Sequence, residues 1–204
     1  MTNAIATASD YRAALLAAID ARSAIESAKS ADNDSAQKTL KDIRKSIDND
    51  HISQVMFSSN VDANLLTSSE RVGANFSMYA YQKIVSTVRC IASTVNTLDH
   101  RIEAVLKTAL SLAKADLVLN HEDAQFALLK LEKHTDRNKR ALVVTTSKLL
   151  SKATANSQSS QCVNALQRLS VFTETRDANN KVAYAINFDH ANTKALLANI
   201  EAHA

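Results

Sequence analysis

Turn-forming residues are almost missing from this chain. Its 204 residues include one Gly and no Pro, where average usage of about 7% and about 5% would supply many more of each. That scarcity argues against turn-rich all-β folds and against glycine loops that cradle phosphates. Trp is absent and aromatics make up only 4% of residues, so the 46% that is hydrophobic has to build a core from Ala, Leu, Ile and Val. Such a composition favours helices. Cysteines are equally scarce. Cys90 and Cys162 lie far apart and at no metal-ligand spacing, which predicts free thiols in a reducing compartment.

No run approaches the roughly 18 consecutive apolar residues of a membrane span. The amino terminus lacks a basic n-region, and its one apolar stretch, Ala13 to Ile19, is short and flanked by Asp10 and Asp20. Neither a signal peptide nor a membrane role is expected. A formal charge of +3, from 24 basic and 21 acidic side chains, is too balanced to imply nucleic acid by itself.

What is present is helical periodicity. Tyr11, Leu15, Ile19 and Ile25 form a stripe over residues 8 to 30, with Thr7 or Ser9 as its cap. Asp32-Asn33-Asp34-Ser35 interrupts it, and Leu40, Ile43 and Ile47 mark a second helix. Asp48-Asn49-Asp50 then ends that helix or opens a short third one through Ile52, Val55 and Met56. The strongest pattern follows. Ile84, Val88, Ile91, Val95, Leu98, Ile102, Val105, Ala109 and Leu112 alternate spacings of three and four, a heptad seam. Counted from Tyr81 to Leu112, an unbroken helix would measure about 48 Å, long enough to be the spine of the molecule. Apolar residues at flanking positions, among them Val85, Ala92 and Leu106, widen the seam beyond a two-stranded coiled coil and fit a bundle core.

Farther on, Asn120 with Asp123 resembles a cap. The helix it starts is expected to run on through the polar residues 133–140 to Leu150, because no Gly or Pro interrupts it. Residues 151–161 have no apolar periodicity and read as a linker. Beyond them, Leu169, Val171, Thr173 and Thr175 alternate with polar neighbours, as do Val182, Tyr184, Ile186 and Phe188 across Asp177-Ala178-Asn179-Asn180. That is a hairpin signature, although Val163, Leu166 and Leu169 also carry a helical spacing. Asp189 would cap a final helix holding Leu196, Leu197 and Ile200.

Motifs for chemistry are few. His51, His100 and His190 each follow an aspartate, but adjacent residues on a helix do not face one another. No metal-binding histidine pattern occurs, and Asp32-Asn33-Asp34 lacks the glycine and closing Glu of a calcium loop. Between Lys130 and Lys152 basic residues dominate. On a continuous helix Lys130, Lys133, Arg137 and Arg140 would stack into a basic stripe suited to phosphates or an acidic protein. No aromatic interleaves it for base stacking and no recognition helix after a glycine turn is visible, so sequence-specific DNA binding is not favoured.

The sequence therefore predicts a mainly α fold, an elongated helical bundle around one long central helix, with a small C-terminal β-hairpin as an added element. Its parts would be a bundle at 1–150, a flexible linker at 151–161 and an appendage at 162–204. The expected function is non-enzymatic: a structural or assembly protein, such as a virion or filament subunit, that associates with itself or another protein through the 84–112 seam. The alternative is a helical binding or regulatory module that uses the 130–152 basic stripe to hold nucleic acid or an acidic protein. No cofactor, metal or small-molecule substrate is expected, and the setting is the cytoplasm or a particle assembled there.

Overall fold

Helix α1 (Ala8–Lys29) begins where Thr7 Oγ1 accepts the Asp10 amide at 3.1 Å, and it turns Tyr11, Leu15 and Ile19 inward, as the periodicity predicts. The computed structural model describes residues 7–29, 34–71, 74–93, 97–129 and 136–202. Helices α2 (Asp34–Ile47) and α3 (Asp50–Ser58) follow α1, with Asn49 capping α3. A short antiparallel pair, β1 (Ser69–Arg71) and β2 (Ala74–Asn75), leads to α4 (Met78–Ala92), capped by Ser77. Gly73 lies outside the described residues.

The rest of the chain comprises α5 (His100–Ala113), β3 (Leu119–Asn120), α6 (His121–Phe126), α7 (Arg137–Arg140) and α8 (Lys152–Arg168), then β4 (Phe172–Arg176), β5 (Val182–Ile186) and α9 (Ala191–Glu201). Three strands form one antiparallel sheet in the order β3-β5-β4. The fold is thus mainly helical with a small sheet near its C-terminus, and the expected hairpin is β4–β5, in register from Phe172 opposite Ile186 to Arg176 opposite Val182. His190 rather than Asp189 caps α9, its Nδ1 accepting the Asn192 amide.

The long central helix is not there. The seam from Ile84 to Leu112 is divided between α4 and α5, because Ser93 leaves the helical path and Asp99 restarts it by accepting the Arg101 amide at 2.9 Å. Ser93 and Thr97, described on either side of the break, are of a residue type whose side chains compete for backbone hydrogen bonds. A heptad pattern continuing through Val95 concealed that break, and Val95 itself lies outside the described residues. Both halves of the seam pack on α8.

That helix occupies the stretch expected to be a linker. Its inner face is Ala155, Ser159, Cys162, Val163 and Leu166, all buried. Small side chains there allow close helix packing yet carry little hydropathy, which is why the periodicity was invisible. Residues 162–204 are no appendage, since Leu166, Leu169, Phe172, Leu196 and Ile200 share one apolar cluster with Tyr11 and Leu15.

The continuous helix expected from 120 to 150 is replaced by a return of the chain. Helix α6 ends at Phe126, the Leu150 amide bonds the Leu128 carbonyl at 2.8 Å, and Leu129 bridges Leu150 in parallel. Ala127, Leu128 and Leu129 are buried in succession, a pattern that a one-sided helical stripe does not give. The anticipated start is confirmed: Asn120 and Asp123 form a reciprocal capping box.

Candidate nucleic-acid interface

Helix α8 is anchored on one face and open to solvent along much of the rest. Its buried residues hold it against α4, α5 and α6, and Gln158 accepts from Arg101 Nη1 at 3.0 Å. Burial pushes the Cys162 thiol up to about 12, so this cysteine is a packing residue and not a nucleophile. Elsewhere on the helix Lys152 and Thr154 are exposed in the first turn, Asn156, Ser157 and Arg168 are exposed beyond it, and Ser160 and Asn164 are half-buried. None of these is acidic. In fact no Asp or Glu occurs anywhere from Arg137 to Thr173, while Lys139, Arg140, Lys148, Lys152 and Arg168 fall within that span.

The start of α8 adds to this face. Ser151 is the cap, but its side chain makes no capping hydrogen bond; its hydroxyl instead pairs with Thr154 Oγ1 at 3.0 Å. First-turn amides without a side-chain acceptor, next to Lys152, favour an anion such as a phosphate. Near the middle of the helix His121, at the start of α6, reaches Ser160, with Nε2 and Oγ 3.2 Å apart.

Directly after α8, a tight turn with Ser170 at φ 56° feeds the β4–β5 hairpin. Its tip is rigidly shaped. Asp177 Oδ1 accepts the Lys181 amide at 3.0 Å and the Asn179 amide at 2.9 Å; these bonds, the Lys181 one foremost, hold its carboxyl below the usual range. Asn180 takes the left-handed conformation at φ 60°, which asparagine tolerates better than most residues. Arg176 and Lys181 are exposed there, balanced by Glu174 and Asp177. The hairpin therefore offers hydrogen bonds and two cations without a net charge.

The residues singled out from sequence have other places. Ile84, Val88, Leu98, Ile102, Val105 and Leu112 are buried in the chain's own core, and Ile91 is half-buried against it. Of the basic stripe, Lys130 and Lys133 lie outside the described residues, and Arg137 and Arg140 are the two ends of the four-residue α7. Among the described residues α6 ends at Phe126 and Asp136 is extended before α7, so no single helix runs from α6 through Arg140. Lys139 is turned inward, its ammonium 2.7 Å from the fully buried Asp123 carboxylate. Sequence reasoning missed the α8 face, although the acid-free stretch was a signal for it.

Chemically the arrangement presents amides, hydroxyls and cations. Among the described residues no group of three or more His, Cys, Asp or Glu is placed to hold a metal ion, and no helix is long and apolar enough to cross a membrane. No family model, curated protein or solved structure matches the chain.

Proposed function

We propose that this protein is a non-enzymatic nucleic-acid-binding module that lays the outward face of α8 against duplex DNA, with the β4–β5 hairpin beside it as a wing. The observation that carries the reading is that α8 itself carries no carboxylate, within a span of the chain, from Arg137 to Thr173, that holds only basic charge. A 17-residue helix is about 25 Å long, and the major groove, about 12 Å wide, admits a helix. Lys152 and the first-turn amides suit phosphates, and Asn156 and Asn164 carry the amide group that pairs with an adenine edge. The reading relocates the basic-stripe alternative from a helix at 130–140 to α8.

The association reading, a virion or filament subunit, drew its support from an unbroken apolar seam. Ile84, Val88, Leu98, Ile102, Val105, Ala109 and Leu112 are buried inside this chain and Ile91 is half-buried against them, so these residues supply no outward surface. Two buried cysteines outside any disulfide, Cys90 and Cys162, accord with work in a reducing cytoplasm or in a particle assembled there.

The test is fluorescence anisotropy of a labelled DNA duplex titrated with the full chain at two salt concentrations. If three phosphates are neutralised, affinity falls about 40-fold from 50 to 200 mM salt. Lys152→Glu lowers it further with helicity unchanged. Salt-insensitive binding, or binding that Lys152→Glu leaves untouched, overturns the reading.

A further inference from the structure

A cleft of about 560 Å³ runs between the solvent sides of α2 and α4 and reaches Asp99 and Arg101 at the start of α5. That volume lies within the range of small-molecule sites. Lys83 forms part of its wall while only 4% exposed, with its ammonium 3.4 Å from Asp99 Oδ2. The same carboxylate accepts Arg101 Nη2 at 2.6 Å, Nε at 2.9 Å and the Arg101 amide at 2.9 Å. Among the described residues Asp99 is the one carboxylate that pairs with either cation. Two cations on one anion leave a positive excess where burial makes uncompensated charge costly.

The donors divide unequally. Arg101 is engaged with Asp99 and, through Nη1, with Gln158. Lys83 has three donor hydrogens and a single side-chain partner, so it has capacity left for a ligand oxygen. Lys45 and Arg89 stand exposed in the same cleft, opposed by Asp42. Counting Lys45, Lys83, Arg89 and Arg101 against Asp42 and Asp99, cations outnumber carboxylates there. The remaining polar lining is neutral: Ser46, Asn49, Gln82 and Ser86. Among the described residues no aromatic ring lines the cleft, so a flat base has nothing there to stack on.

We propose that this cleft binds a small phosphorylated polyol, a sugar phosphate. Its phosphate meets Lys83 with help from Lys45 and Arg89, and its hydroxyls meet Asp42, Asn49 and Gln82. None of the residues lining the cleft belongs to α8, and the proposal does not depend on duplex binding there.

Calorimetric titration of the full chain with glucose 6-phosphate, glucose, inorganic phosphate and AMP tests this. Glucose 6-phosphate is expected to bind at least about tenfold more tightly than any of the other three. Lys83→Met is expected to weaken it by about tenfold or more. The exposed Arg89→Glu variant gives the same direction of effect should Lys83→Met fail to fold, as judged by circular dichroism. Asn49→Ala with Gln82→Ala brings the sugar phosphate down toward inorganic phosphate while leaving inorganic phosphate unchanged. Absence of glucose 6-phosphate binding overturns the proposal, as do equal affinity for inorganic phosphate, tighter binding of AMP, or indifference to Lys83 and Arg89. Displacement of glucose 6-phosphate by duplex DNA overturns it as well, because the cleft would then be a nucleic-acid contact.

Discussion

Two basic regions of this molecule are built on opposite principles. At the α4–α5 junction Lys83 is buried and Arg101 partly so, and both are tied to Asp99. Along α8 the cations are exposed and the local sequence supplies no acid at all. A buried charge has to be paired, so its partners and its uncompensated excess describe a specific place. An exposed charge costs little to keep, and what distinguishes α8 is the composition of a whole face. Loss of a partner in the first kind of region should cost stability as well as ligand binding, whereas the second should answer through binding alone.

The largest expected effect comes from breaking the buried pair. Asp99→Ala leaves Lys83 and Arg101 without their shared counter-charge and should cost about 3–5 kcal/mol in urea denaturation. Lys152→Ala, on the exposed face, should stay within about 0.5 kcal/mol. Equal costs would erase the distinction. A second prediction sharpens it through pH. Burial works to raise the Asp99 carboxyl, but the Arg101 hydrogen bond and the Lys83 charge outweigh it and hold it well below the usual 3.8. A depressed folded value contributes stability that is present above the ordinary carboxylate range and lost as pH falls below it. The stability gap between the native chain and Asp99→Asn should therefore narrow between about pH 6 and about pH 2. A gap that widens on acidification contradicts the pairing.

The smallest expected effect has opposite signs for the two readouts. Ser151 makes no side-chain capping bond, so Ser151→Asp should stabilise the protein by about 0.3–1 kcal/mol through the helix dipole. Placed at the start of the α8 face, the same carboxylate should weaken duplex binding. Thermal denaturation and anisotropy on one variant check both halves, and a gain in affinity would mean that the start of α8 does not meet phosphate.

Local chemistry was legible in the sequence. The alternation at Val182, Tyr184 and Ile186 announces β5, and Asn120 with Asp123 announces the capping box of α6. The stripe Tyr11, Leu15, Ile19 announces α1. What escaped was decided by distant parts. The break after α4 rests on Asp99, whose capping role is masked by an apolar period that runs straight across it. Helix α8 hides because its buried positions include Ala155, Ser159 and Cys162, which matter for close packing more than for hydropathy. Lys83 gives no local hint of burial, since its partner is sixteen positions away in the chain. The basic stripe failed for the converse reason: a spacing of three and four has meaning only if a helix carries it, and α6 ends at Phe126.

Hydrogen exchange of the full chain with and without a short DNA duplex tests the central claim most directly. Slowed exchange confined to α8, its Ser151 start and the β4–β5 tip is the predicted result. Unchanged exchange along α8, or protection limited to α2 and α4, would contradict the assignment of α8 as the surface that takes the duplex.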